Sequence, residues 1–355
     1  MEMRFQVGGN VSFGFHVGGG SAPQPPEPSD HKCALTGAAL PKFEAQGLLR
    51  IPPVVGLAER RIITVSGGGR SVNVDTIAEA RTLLESGDGY DTVDIAEDSG
   101  ITTIASNAFY SETSLPLKSI SMPGVRTISD SAFKNCTHLE EVVLSPYLST
   151  LGGSIFHSCT RLETINLSMC ERITSIPSGM FYGCTSLKNV SLPENGQLGR
   201  IGDSSFRNCT SLETIGIPNT VWTIDDSAFR GCSNLEEVDL STGLEQMSEH
   251  VFSDCVRLGH YTEQEGYIFR LPEGCRMVSG WSFTNCTRLN KFYIPSTMQS
   301  FGFEDSLSGG FYTMFGGCTS LTSIRVYKNR GELRGYSDCW DAPNEECRVI
   351  WNDSE

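Results

Sequence analysis

The chain contains no apolar run approaching the eighteen or so residues of a transmembrane helix, so no membrane span is expected. Cationic residues are scarce. Twenty-seven Lys and Arg stand against 42 Asp and Glu, a formal net charge of −15 at pH 7. Binding nucleic-acid phosphates needs clustered Lys and Arg, so nucleic acid is not an expected partner. Histidine is scarcer still: His16, His31, His138, His157, His250 and His260 are the whole complement, and they are scattered. None has a familiar zinc-finger spacing to cysteine, and no Cys–His or Ser–His pairing suggests itself. His157 and His250 read as solvated surface residues. Neither G-x-x-x-x-G-K-[ST] nor a correctly placed G-x-G-x-x-G is present. The opening Met1-Glu2-Met3-Arg4-Phe5 has no basic start and no continuous apolar stretch, so a Sec signal is not expected. No catalytic residue, cofactor or metal ligand is therefore assigned.

Cysteine is abundant, thirteen in 355 residues, and eight of the thirteen share one slot of a repeat. The unit is Phe-x-x-Cys-x-x-Leu. It occurs as Phe133…Cys136…Leu139, Phe156…Cys159…Leu162, Phe181…Cys184…Leu187, Phe206…Cys209…Leu212, Phe229…Cys232…Leu235, Phe252…Cys255…Leu258, Phe283…Cys286…Leu289 and Phe315…Cys318…Leu321. Spacings run from 23 residues (Phe133 to Phe156) to 32 (Phe283 to Phe315), and a degenerate first copy at Phe109 has Glu112 in the cysteine slot. Self-similarity at this period means a solenoid whose units bury their apolar faces only against neighbours. The slot reads as buried free thiols used as small apolar residues, with Cys275 at another core position. Cys339 and Cys347 lie outside the period and suit a small C-terminal clip.

After most of the leucines an apolar–polar–apolar triplet follows, such as Ile165-Asn166-Leu167, Ile215-Gly216-Ile217 and Val238-Asp239-Leu240, the pattern of a half-buried strand. Proline ends several of these strands (Pro193, Pro218, Pro295). Two further apolar positions follow, such as Val221 and Ile224, before the next phenylalanine.

Leu212, Ile215, Ile217, Pro218, Val221, Ile224, Ala228, Phe229 and Cys232 together resemble the BspA-like (Treponema pallidum type) leucine-rich repeat, L-x-x-I-x-L-P-x-x-V-x-x-I-x-x-x-A-F-x-x-C. The resemblance covers about residues 90–326. It implies a leucine-rich-repeat solenoid: a curved right-handed coil with a parallel sheet on the concave face and irregular or 3-10 convex arms. It also implies an adhesin or interaction module, not an enzyme.

The expected organisation is a hairpin docking segment (1–20), a Pro/Gly-rich linker and irregular segment (21–58), a small α/β cap (59–96), the repeats (97–327) and a C-terminal cap (328–355). The docking segment rests on the near copies Phe5-Gln6-Val7-Gly8-Gly9 and Phe15-His16-Val17-Gly18-Gly19, turning at Gly8-Gly9-Asn10. In the first cap, Ile62–Val65 forms a strand, Gly67-Gly68-Gly69 a turn, and Asp75 the N-cap of a helix stopped at Gly87. Trp340, Cys347, Val349, Ile350 and Trp351 fold back as the second cap. Two insertions, 259–266 and 302–314, go to surface loops, where binding residues collect.

Strand alternation names the residues facing off the concave sheet. Ser121, Val143, Asn166, Ser191, Gly216, Asp239, Tyr293 and Arg325 form a central ladder, flanked by Ser119, Glu141, Thr164, Asn189, Thr214, Glu237, Lys291 and Ser323. The candidate partner-binding residues are Glu237, Asp239, Lys291, Tyr293, Arg325 and Tyr327, because tyrosine and arginine supply many interface hot spots. The partner is a protein or glycan surface. A second reading is a structural or host-recognition subunit of a phage virion or other large assembly, docked or homo-oligomerised through residues 3–17. Cell surface, extracellular space and virion all remain open as locations. The Asn-Cys-Thr triplets at Asn135, Asn208 and Asn285 follow from the repeat and imply no glycosylation.

Overall fold

A computed structural model describes the strands at 2–7 and 11–16, and residues 62–112, 115–302, 313–334, 340 and 342–352. The chain divides into two units, Met1–Glu59 and Arg60–Glu355. In the first, Glu2–Val7 pairs antiparallel with Val11–His16, from Glu2 opposite His16 to Val7 opposite Val11. That is the hairpin the glycines announce.

The second unit is a parallel β-solenoid. Each coil contributes a strand of three to five residues to the concave face: Thr92–Ile95, Ser119–Ser121, Glu141–Val143, Thr164–Asn166, Asn189–Ser191, Thr214–Gly216, Glu237–Asp239, Gly266–Arg270, Lys291–Ile294 and Ser323–Val326. Where neighbouring coils pair on this face they pair parallel, as in Ser119, Ile120 and Ser121 against Glu141, Val142 and Val143. The central residue of each strand (Ile120, Ile165, Ile215, Phe292, Ile324) faces the core.

A second parallel ladder, not foreseen from sequence, follows one turn later. Its strands are two residues long and fall in two sheets: Thr103–Ile104, Thr127–Ile128 and Thr150–Leu151, then Ser175–Ile176, Arg200–Ile201, Thr223–Ile224, Gln246–Met247, Met277–Val278 and Ser300–Phe301. The second residue of each points inward, which is why the apolar positions after the proline recur. Two residues are too few to display an alternating pattern.

The phenylalanines form the expected spine. Rings of Phe109, Phe133, Phe156, Phe181, Phe206, Phe229, Phe252, Phe283 and Phe315 stack with centroids 5.2 to 5.9 Å apart, and all are fully buried. Each such burial contributes about 2–3 kcal/mol, so the spine is a large share of the core.

The convex arm is a pair of turns. From Phe133 to Phe283 the residues two before and two after each spine phenylalanine adopt left-handed backbone, for example Ser131 (φ 57°) and Asn135 (φ 64°) around Phe133, or Ser204 (φ 53°) and Asn208 (φ 61°) around Phe206. This region favours Gly and Asn, and Asn135, Gly183, Asn208, Gly231, Asp254, Asn285 and Gly317 occupy the second position. The turns aim three amides at the next coil: Ser131, Phe133 and Asn135 donate to the carbonyls of Gly153, Ile155 and His157 at 2.8 to 2.9 Å. Convex coils are thus hydrogen-bonded without being a sheet.

The cysteines complete this network. The thiols of Cys136, Cys159, Cys184, Cys209, Cys232, Cys255, Cys286 and Cys318 each donate to the carbonyl of the phenylalanine one coil earlier, at 3.0 to 3.3 Å. The first copy has no earlier coil, and its slot holds the exposed Glu112. The ten buried cysteines, including Cys170 and Cys275, are free thiols. Cys339 lies outside the described residues, as does the clip expected of it.

The N-terminal end differs from expectation. Gly67-Gly68-Gly69 turns not into the helix but into a second strand, Arg70–Val74, antiparallel to Ile63–Gly67. At Gly67 (φ 152°) a Cβ would lie 2.3 Å from the Gly89 carbonyl oxygen, so only glycine fits. The helix Ile77–Glu85 (α1) is capped by Thr76, not Asp75. The Thr76 hydroxyl accepts from the Glu79 amide (3.2 Å) while the Glu79 carboxylate accepts from the amides of Thr76 and Asp75. Threonine with glutamate three residues on forms a reciprocal capping box, which Asp75 is one residue too early to make. From α1, the Arg81 guanidinium donates to the Asn107 and Ala108 carbonyls at 3.3 and 3.1 Å, standing where an earlier coil's amide would stand.

At the other end the chain does not simply fold back. Arg348–Trp351 adds one more parallel strand beside Ser323–Val326, and the Trp340 carbonyl accepts from the Phe315 amide as a further coil would. Trp340 and Trp351 are buried.

Candidate binding face

The insertion at 259–266 is a hairpin. His260–Thr262 pairs antiparallel with Gly266–Arg270, and the latter continues as a concave strand in register with Lys291–Ile294. It places Arg270 in the central ladder opposite Tyr293, with Arg325 next. Arg270 was legible as the middle residue of Phe269-Arg270-Leu271, but the interrupted period hid it. Of the second insertion, 302–314, residues 303–312 lie outside the described residues.

From Ser119 to Asp239 the outward columns carry small, polar or acidic side chains, exposed from Thr164 onward. Val143 is the apolar exception, 44% exposed. Asp239 borders an open polar depression shared with Ser191, Gly216, Asn195, Asn219 and Thr242. Glu237 is exposed, its carboxylate 2.6 Å from His260 Nδ1.

Beyond Asp239 the chemistry changes. The Tyr293 hydroxyl donates to Glu265 on the hairpin turn, the Arg270 guanidinium lies 3.5 Å from the Tyr293 ring centroid, and Arg270 Nη2 donates to the same carboxylate at 2.9 Å. Lys291 Nζ stands 3.8 Å from it. Tyr327 stacks on Tyr293 at 6.3 Å, and Arg325 sits 5.4 Å from the Tyr327 ring. Beside the hairpin, Arg288 covers Tyr267 at 3.6 Å and Tyr267 contacts Tyr261 at 5.1 Å.

Of the six candidate residues, Glu237, Asp239 and Tyr327 are exposed and Lys291 and Arg325 half-buried. Tyr293 is a correction. Expected on the open face, it is 8% exposed because Glu265 and Arg270 cover it. Strand alternation gives the direction of a side chain but not what an insertion folds over it.

Glu265 is held below the usual carboxylate range by the Tyr293 hydroxyl and then by Arg270 and Lys291. Burial and the same bond push Tyr293 above the usual tyrosine range. The two move apart, so neither is poised to exchange protons near neutral pH. The histidines also need correction: His157 stacks on Tyr182 at 4.7 Å and His250 on Trp281 at 5.0 Å, both half-buried on the convex side. Burial lowers both pKa values and keeps the rings neutral. A Ser–His contact does occur, Ser158 Oγ to His157 Nδ1 at 2.9 Å, between chain neighbours of one turn. Among the described residues no group of His, Cys, Asp and Glu is disposed to hold a metal ion, and no helix is long and apolar enough to cross a membrane.

The BspA type Leucine rich repeat region, in six copies, matches residues 102–198 and 166–269. No curated protein matches the chain. Among solved structures, it is similar to a Treponema pallidum leucine rich repeat protein (25% identity, TM-score 0.37), covering 56% of this chain and 83% of that one. It is also similar to a leucine rich cell surface protein of Faecalibacterium prausnitzii A2-165 (22% identity, TM-score 0.31; 77% and 89% covered). A leucine-rich repeat protein of Eubacterium ventriosum is similar too (17% identity, TM-score 0.42; 79% and 77% covered). The family is typically non-enzymatic and generally surface-associated, and no catalytic family is indicated. Residues 102–269, with their phenylalanine spine, thiol ladder and parallel coils, are BspA-type leucine-rich repeats.

Proposed function

We propose that this chain is a non-enzymatic binding protein at a cell surface or outside the cell, recognising a protein or glycan through its concave face. The energetic centre is the C-terminal third, around Lys291, Tyr293, Arg325 and Tyr327. One observation carries the reading: after coils of small and polar outward residues, arginine and tyrosine side chains stack across neighbouring strands at one place. Buried or half-buried Tyr and Arg supply much of the energy of protein interfaces. Arraying the full chain against glycans and extended peptides tests it. Arg325→Ala with Tyr327→Ala is expected to weaken the strongest signal at least about tenfold, a loss of roughly 1.4 kcal/mol. Unchanged binding in that double variant removes this face from consideration.

The second reading is a structural or host-recognition subunit of a virion or other assembly, docked through residues 3–17. The complete antiparallel register of Glu2–Val7 with Val11–His16 favours it, because isolated two-stranded hairpins are marginal in water and gain from a partner sheet. Light scattering on the full chain and on a chain beginning at residue 31 separates the two. Assembly lost with the first thirty residues supports docking; two monomers count against it.

A further inference from the structure

We propose that Arg270, Lys291 and Tyr293 form a carboxylate receptor that Glu265 fills from within, and that its external ligand is a uronate-bearing glycan. This rests on the concave-face reading and names the ligand class for it. Three donors from two adjacent strands converge on one carboxylate: the Tyr293 hydroxyl, Arg270 Nη2 at 2.9 Å and Lys291 Nζ at 3.8 Å. The turn carrying Glu265 does not depend on them. Its amide is held by Thr262 Oγ1 at 3.1 Å, and the hairpin keeps its own ladder. Rotating one side chain therefore empties the seat without unfolding anything. Partly exposed ion pairs are weak, so one carboxylate exchanges readily for another. An empty seat leaves the hydroxyl of a largely buried tyrosine without this acceptor, which explains why the protein fills it itself.

The surroundings choose the ligand. Next to the seat, Tyr327 is 39% exposed, stacks on Tyr293, and has Arg325 beside its ring. An aromatic face accepts the apolar face of a pyranose, while a carboxylate on the same sugar reaches the cations. An acidic peptide side chain offers no such ring. Arg348, aligned with Lys291 through Ser323, extends the cationic column on one side. Glu237 and Asp239 lie on the other side and repel a polyanion there, so the glycan runs from the seat towards the C-terminal coils.

The test is calorimetry of the full chain with polygalacturonate, poly-L-glutamate and dextran. Glu265→Gln is expected to strengthen polygalacturonate binding about tenfold, Lys291→Ala and Arg325→Ala to weaken it, and dextran not to bind. Should Glu265→Gln misfold by circular dichroism, Glu265→Asp, which shortens the reach to the seat, is expected to give a gain in the same direction. Unchanged polygalacturonate affinity in the Glu265 variant, with Arg325→Ala still weakening it, overturns self-occupancy and leaves the concave-face reading standing. Poly-L-glutamate bound as tightly as polygalacturonate overturns the glycan assignment. Absence of polygalacturonate binding by both wild type and the Glu265 variant overturns the whole inference.

Discussion

The thiol of Cys159 donates to the carbonyl of Phe133 at 3.2 Å, and the same oxygen accepts the backbone amide of Cys136 at 3.1 Å. Both lone pairs of a buried carbonyl are used, one within the coil and one from the next. Cysteine in this slot is a small apolar residue that is also a donor. Alanine and valine meet only part of that requirement.

Cys209→Ala is therefore expected to destabilise the array by about 1–3 kcal/mol, combining a small cavity with a carbonyl that loses one partner. Denaturant unfolding of the variant against wild type measures it. A change within 0.5 kcal/mol would mean that the thiol bond adds nothing.

The same burial predicts chemical silence. Desolvation pushes Cys184 and Cys232 up to about 12 from an ordinary 9.0. At pH 8 the ten buried thiols are expected to resist a disulfide reagent until guanidinium unfolds the chain. The folded state binds these protons more tightly than the unfolded state, so the thiol contribution is complete below pH 9 and is lost as pH rises towards 12. Melting temperature followed from pH 8 to 11 is expected to fall, and to fall less in Cys184→Ala. An equal fall in both would assign alkaline loss to other groups.

Gly183→Ala tests the convex turns. Gly183 has φ 71°, in the same slot as Asn135 and Asn208. Added Cβ strain there is expected to cost about 1 kcal/mol or more, whereas Gly183→Asn is expected to cost less. Thermal unfolding of the pair decides; equal losses would place the effect in packing against Ser158.

Arg81→Ala removes the guanidinium that answers the Asn107 and Ala108 carbonyls. The expected loss is about 1–2 kcal/mol, concentrated in the first coil. Hydrogen exchange checks this: the amides of Ile104 and Phe109 should lose protection while those near Phe229 keep theirs. Uniform loss would contradict a local capping role.

The spine, the thiol ladder and the concave strands were legible because each is written once per coil, so eight weak signals add. The hairpin Gly266–Arg270 and the covering of Tyr293 occur once, at an interruption of the period, and depend on where Glu265 lands in space. Arg70–Val74 escaped notice because its exposed Arg-Ser-Val-Asn-Val shows no buried face. The left-handed turns were present as Asn135, Asn208 and Asn285, and read only as accidental sequons. In the helix cap the right chemistry was assigned one residue early, at Asp75 in place of Thr76.

Every thiol in the ladder looks back along the chain, never forward, so the array has a direction as well as a period. A polypeptide leaving the ribosome finds each acceptor already laid down when the next donor emerges. Trimming whole coils from the trailing end leaves every remaining sulfur satisfied, whereas trimming from the leading end strands one at the new boundary. Glu112 marks the place where the polypeptide itself solves that boundary, by putting no sulfur there.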